Sequence, residues 1–204
     1  SAHLRGLSPF AFPKIVKYIC RAGMGVSELD LVNAFFQVMV ALFPGFDFNF
    51  VLQYVKNRGK YFDMGADAYD VDAKAIKELV IRVGFLGSYA AWLKENNLQR
   101  VPGQFSNFVD GLAHEMVRLA LHIKATRTDL FDAAVALKGG CTSPFKHRQV
   151  LACIMVALYM DKERELCNSG MQLAPQSFSN EFDGFCDASG SPSNLIGKLK
   201  HETG

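Results

Sequence analysis

The feature that most constrains this chain is an apolar run from Ala34 to Phe43, entered directly from Asp30-Leu31-Val32-Asn33. A helix that is apolar nearly all round has no face for water, so other elements must pack around it. Asn33 stands where a cap belongs. The preceding Val26–Leu31 is short and strand-like, which leaves the Asp30 carboxylate at the edge of a core. A charge there needs a cation, a set of hydrogen bonds or a catalytic role. Two readings follow: Asp30 and Asn33 cap the helix, or Asp30 binds a metal with a partner elsewhere in the chain.

With 204 residues, half of them hydrophobic, the chain can bury a core as one domain or a domain plus an appendage. Its net charge of +2 excludes a large basic field, so contact with nucleic acid would need local clusters. No apolar run approaches the roughly 18 residues that span a bilayer, and the N-terminus lacks a secretory pattern. The five cysteines are odd in number and contain no C-x-x-C, which predicts free thiols in a reducing, intracellular compartment. His114-Glu115 is followed by Arg118 where a zinc hydrolase needs a second His, so both read as ordinary helix-face residues.

Along the chain, residues 9–22 alternate basic and apolar positions as an amphipathic helix starting near Pro13. A helix from Phe48 to Phe62 ends in Lys56, Arg58 and Lys60, which suit a helix C-terminus or a phosphate. Asp70–Gly84 is a helix with Asp70 or Asp72 near its start and Ile76, Leu79, Val80 and Val83 inward. Tyr89–Asn97 continues it after Gly87. Phe105–Lys124 is long, with Phe108, Leu112, Met116, Leu119 and Ile123 inward, and Thr128–Leu137 is short. After a Gly139–Pro144 loop, Lys146, His147, Arg148 and Gln149 open a helix to about Leu166. Cations at that end oppose the helix dipole, so they are either tolerated at an exposed end or used on an anion. In the tail, Asp183-Gly184 between alternating segments is a hairpin signal, with Asp183 on the turn.

Two acids, one after a strand and one on a hairpin turn, are what phosphoryl transfer to a nucleic-acid end uses to hold two Mg²⁺ ions. Glu28-Leu29-Asp30-Leu31-Val32-Asn33-Ala34, then Lys77 and Phe85 eight residues apart, then Gln149, then Phe182-Asp183-Gly184-Phe185 follow one another in that order. This order resembles the palm and fingers of polymerase I-type (family A) DNA polymerases and related single-subunit phage-type RNA polymerases, in particular the divergent polymerase-like proteins of viruses and mobile elements. Tyr54-Val55-Lys56-Asn57-Arg58 also resembles a segment recurring in the mobile-element proteins.

The resemblance implies a predominantly helical α+β fold, with a small antiparallel palm-like sheet and a helical fingers region over residues 1–187; the Ser/Gly/Pro-rich stretch after it predicts a flexible tail at 188–204. It implies Asp30 and Asp183 as catalytic metal carboxylates for Mg²⁺ or Mn²⁺. Lys77, Phe85 and the Leu31 carbonyl would meet the nucleoside triphosphate. Gln149 would meet primer–template, joined by Arg148 and Arg58, the cations whose helix-end positions suit an anion. The chain departs from the family at Phe35, where a His or Glu is usual, at Ala73, where an Arg is expected, and at Gly184, where a second acid is common. No thumb-sized region accompanies the motifs, so a partner chain or further domain would supply one. The implied activity is template-directed nucleotidyl transfer. The alternatives are a nucleic-acid-binding or scaffolding relic of such an enzyme, or an unrelated helical interaction module.

Overall fold

A computed structural model describes the backbone of residues 27–30, 33–140, 143–173, 177–181 and 184–187, and the side chains of 33–140 and 143–165. The expected helix at 9–22 and the boundary after 187 lie outside these residues, as do Leu31 and Asp183. The chain divides into two units: Asn33–Asp161, and a second made of Ser1–Val32 with Lys162–Gly204.

The first unit is helical throughout. Its elements are α1 (Ala34–Leu42), α2 (Phe50–Tyr69), α3 (Ala73–Gly84), α4 (Tyr89–Glu95), α5 (Gln104–Thr126), α6 (Thr128–Leu137) and the start of α7 (Pro144–Leu173). The α+β class expected from the sequence is therefore corrected to an all-helical body, because no strand contributes to this core. Strand pairing is confined to the backbone of the second unit: β1 (Ser27–Asp30), β2 (Ser177–Glu181) and β3 (Gly184–Asp187), in the order β1-β3-β2. The reason is in the sequence. Apolar residues recur at helical spacing from Ala34 to Met155, whereas the strand segments are four or five residues long and rich in Ser, Asn, Glu and Asp, too short and polar to form a covering layer.

Helix α5 runs through the middle of the body. Phe105, Phe108, Leu112, Met116, Leu119 and Ile123 fall three or four residues apart, so they form one buried stripe. Helices α2 and α3 pack against it. From α3 come Ile76, Leu79, Val80 and Val83, all essentially without exposure, as the periodicity predicts. Burying a side chain of this size contributes about 1.5–3 kcal/mol, so the packed faces rather than intrinsic helix propensity hold these helices. From α7, Val150, Leu151, Ile154 and Met155 are buried.

Capping follows local chemistry at α3 and α4. Asp72 Oδ1 accepts from the Ala75 N–H at 2.7 Å to start α3, and Ser88 Oγ accepts from the Ala91 N–H at 3.1 Å to start α4. Asn33 differs from expectation. It precedes α1 in the left-handed region (φ 56°), its side chain caps nothing, and only its carbonyl accepts from Gln37.

Glu115 also departs from the sequence reading. It is buried inside the apolar stripe of α5 and caps a different helix: Oε2 accepts from the Asn49 and Phe50 N–H groups at 2.7 and 2.9 Å, and Oε1 from Val51 at 2.8 Å. One carboxylate thus takes three of the N–H groups that a helix start leaves unpaired. His114 beside it is exposed.

Candidate nucleic-acid interface

Of the residues assigned to metal and nucleotide, Asp30 ends β1, where its Cα pairs with that of Gly184. The Asp30 side chain is not among those described. Among the described residues, no three His, Cys, Asp or Glu side chains converge to hold a metal ion.

Lys77 is exposed on α3, opposite the buried Ile76–Leu79–Val80 face. Phe85 follows the end of the same helix, about 12 Å further along the axis at 1.5 Å per residue. Its ring is engaged in packing: the centroid lies 4.1 Å from Phe35 and 6.4 Å from Tyr159. Phe35 itself also meets Phe36 and Tyr159, so an aromatic cluster between α1, α3 and α7 occupies the position given to base stacking.

Arg58 is set beside a kink. Helix α2 continues to Tyr69, so Lys56, Arg58 and Lys60 lie within it and not at its C-terminus, and Asn57 adopts non-helical angles (φ −131°, ψ 34°). The Arg58 guanidinium lies 4.8 Å over the Phe62 ring, and its Nε is buried without a hydrogen-bond partner. Burial pushes the neighbouring Tyr54 phenol up, and the Arg58 charge pulls it back only in part.

The start of α7 is where predicted residues come together. Ser143 Oγ accepts from the Lys146 N–H at 3.2 Å and so caps the helix. Arg148 and Gln149 are exposed, and Lys146 and His147 are half-buried. His147 Nε2 lies 3.2 Å from Lys124 Nζ, on the last turn of α5. The same ammonium sits 4.5 Å over the Phe131 ring of α6, whose centroid is 6.0 Å from the His147 ring. Two basic side chains therefore share one apolar seat, with the lysine donating to an imidazole nitrogen.

Arg148 Nη2 donates to the Gly87 carbonyl at 3.3 Å. That carbonyl belongs to the turn closing α3, where Leu86 N–H donates to Val83 O and Gly87 N–H to Arg82 O. The left-handed residue is Leu86 (φ 60°), not Gly87. Gly87 is required for a different reason: a Cβ there would lie 2.7 Å from the Arg82 carbonyl oxygen.

Charges elsewhere in the body are of both kinds: three arginines pair with acids, whereas exposed Arg118, Lys74 and Lys77 have no carboxylate partner among the described residues. Arg82 pairs with Glu95 at 2.5 Å, Arg100 with Asp110, and Arg127 with Asp129 at 2.8 Å. Lys124, Lys146, His147 and Arg148 have no carboxylate partner among the described residues. The sequence signal that marks this edge is the Lys-His-Arg-Gln run at a helix start. What it could not supply is Lys124, which comes from another helix 23 positions away.

No protein-family profile, no curated protein and no solved structure matches the chain. Among the described residues, no helix is long and apolar enough to cross a membrane.

Proposed function

We propose that this chain binds nucleic acid through the start of α7, with Arg148 and Gln149 at the contact and Lys124 and Lys146 adding positive charge behind them. The observation that carries this reading is the meeting of Lys124 from α5 with Lys146 and Arg148 from the start of α7, none of them with a carboxylate partner among the described residues. A phosphodiester backbone supplies the missing anions, and Gln149 supplies an amide able to meet a base edge. The test is binding of a labelled oligonucleotide to the whole chain across a salt series. Affinity should fall log-linearly with salt, and Arg148→Ala should weaken binding and reduce the slope by about one. Binding insensitive to salt, or unchanged by Arg148→Ala, would remove the reading.

A second reading, template-directed nucleotidyl transfer, has one observation in its favour: Asp30 is in register with Gly184, the residue after Asp183. Asp30 and Asp183 would hold Mg²⁺ or Mn²⁺, Lys77 and the Leu31 carbonyl would meet the nucleoside triphosphate, and a partner chain or further domain would act as thumb. Primer extension by the wild type that is abolished in Asp183→Asn would support it. Extension by neither would leave nucleic-acid binding as the function.

A further inference from the structure

We infer that the exposed end of α7 is a stacking platform for an unpaired nucleotide, with Phe145 taking the base and Arg148 the adjoining phosphate. The inference rests on the nucleic-acid reading above and narrows it to single strands.

Phe145 is the second residue of α7 and is 70% exposed. Every other described phenylalanine of the helical body, from Phe35 to Phe131, lies in ring contact with another aromatic side chain. Phe145 makes no such contact among the described residues. Its ring therefore adds nothing to the aromatic packing of the core, and it stands beside the unpaired cations.

Helical spacing does the rest. Phe145, Arg148 and Gln149 stand at i, i+3 and i+4, so they are neighbours on one face of α7, and all three are exposed. An aromatic ring, a guanidinium and an amide in one patch offer a π-face for a base, a fork for a phosphate and a donor–acceptor pair for a base edge. Arg148 is anchored by the Gly87 carbonyl, to which its Nη2 donates at 3.3 Å. Inside a duplex both faces of each base are covered by its neighbours, so only an unpaired base can lie flat on Phe145. Phe145 was not singled out in the sequence, because one aromatic residue at a helix start carries no periodic signal.

The test measures fluorescence anisotropy of a short labelled oligothymidylate and of a duplex, with the whole chain and its variants. Phe145→Ala should weaken oligothymidylate binding about 5- to 150-fold, the alanine effect of one stacked base, and leave the duplex nearly unaffected. Phe145→Trp should keep the affinity and show fluorescence quenching when the strand is added. Unchanged oligothymidylate affinity in Phe145→Ala, with an unaltered circular dichroism spectrum, overturns the inference. So does equal weakening on single strand and duplex, or a dimer in the wild type that Phe145→Ala dissociates without affecting the oligonucleotide. If Arg148→Ala weakens salt-dependent binding and Phe145→Ala does not, the nucleic-acid reading stands and the platform falls. If no oligonucleotide binds the wild type, both fall.

Discussion

Glu115 holds two elements together with a single side chain. Its carboxylate oxygens accept only, and all three donors they meet are backbone N–H groups at the start of α2. Glu115→Gln keeps the shape but turns an NH₂ toward one of those donors. This leaves a buried N–H unpaired and should lower unfolding stability by about 1–3 kcal/mol, read from urea denaturation. A steric case lies one turn earlier. A Cβ on Gly111 would fall 2.2 to 2.6 Å from the Phe50 ring, so Gly111→Ala should cost about 1–3 kcal/mol. Phe50→Leu in the same chain should recover much of that loss, and a double-mutant cycle would read the coupling. The spacing of α5 did hold a sign of Glu115's role. Leu112, Glu115 and Leu119 are three and four residues apart, so the acid lies within the apolar stripe. What it reaches, more than 60 positions away, is absent from that pattern.

At the scale of elements, most helices start and stop where local chemistry directs. Helix α6 spans Thr128–Leu137, as read from the sequence, and Asp72 and Ser88 cap as their residue types predict. Three helices close with the paired backbone bonds of a Schellman turn, placing Leu86, Asn97 and Gly139 in the left-handed region. Leucine is a poor residue for that conformation, and burial of its side chain, 4% exposed, offsets the strain. Gly87→Ala should therefore act through the Arg82 carbonyl and not through φ. We expect a loss of about 1–3 kcal/mol in stability, together with weaker oligonucleotide binding, because the carbonyl that orients Arg148 moves. Urea denaturation and anisotropy on one preparation would check both. Helix α2 runs on to Tyr69, past the Phe62 end that the sequence predicts. Its Asn57 kink interrupts the periodicity, and the second half carries Asp63 and Asp67 along with its buried tyrosines.

For the molecule as a whole, buried phenols set a limit at high pH. Tyr69 and Tyr89 hydroxyls bond to each other, and each lies 3.3 Å from Ser106 Oγ. Burial is the main cause that raises Tyr89 above its ordinary value of 10.0; the Tyr69 bond adds to this and the Ser106 bond opposes it. Burial raises Tyr54 and Tyr61 too. The folded chain holds these protons more tightly than the unfolded one. Their contribution is thus whole below about pH 10 and is lost as pH rises toward the folded values. The denaturant midpoint should fall between about pH 9 and pH 11, and Tyr89→Phe should flatten that slope.

The sequence by itself determined most of the described helices and the faces they bury, because burial on a helix repeats every three or four residues and is written locally. It also marked Arg148, since a cation at a helix start opposes the dipole wherever it occurs, and Gln149 through the resemblance. Only the tertiary structure decided that the compact body is built from helices alone, that Phe85 packs on Phe35 and Tyr159, and that Lys124 joins His147. Those outcomes depend on which faces meet across long stretches of chain, and the spacing within one segment carries no information about the segment it will touch.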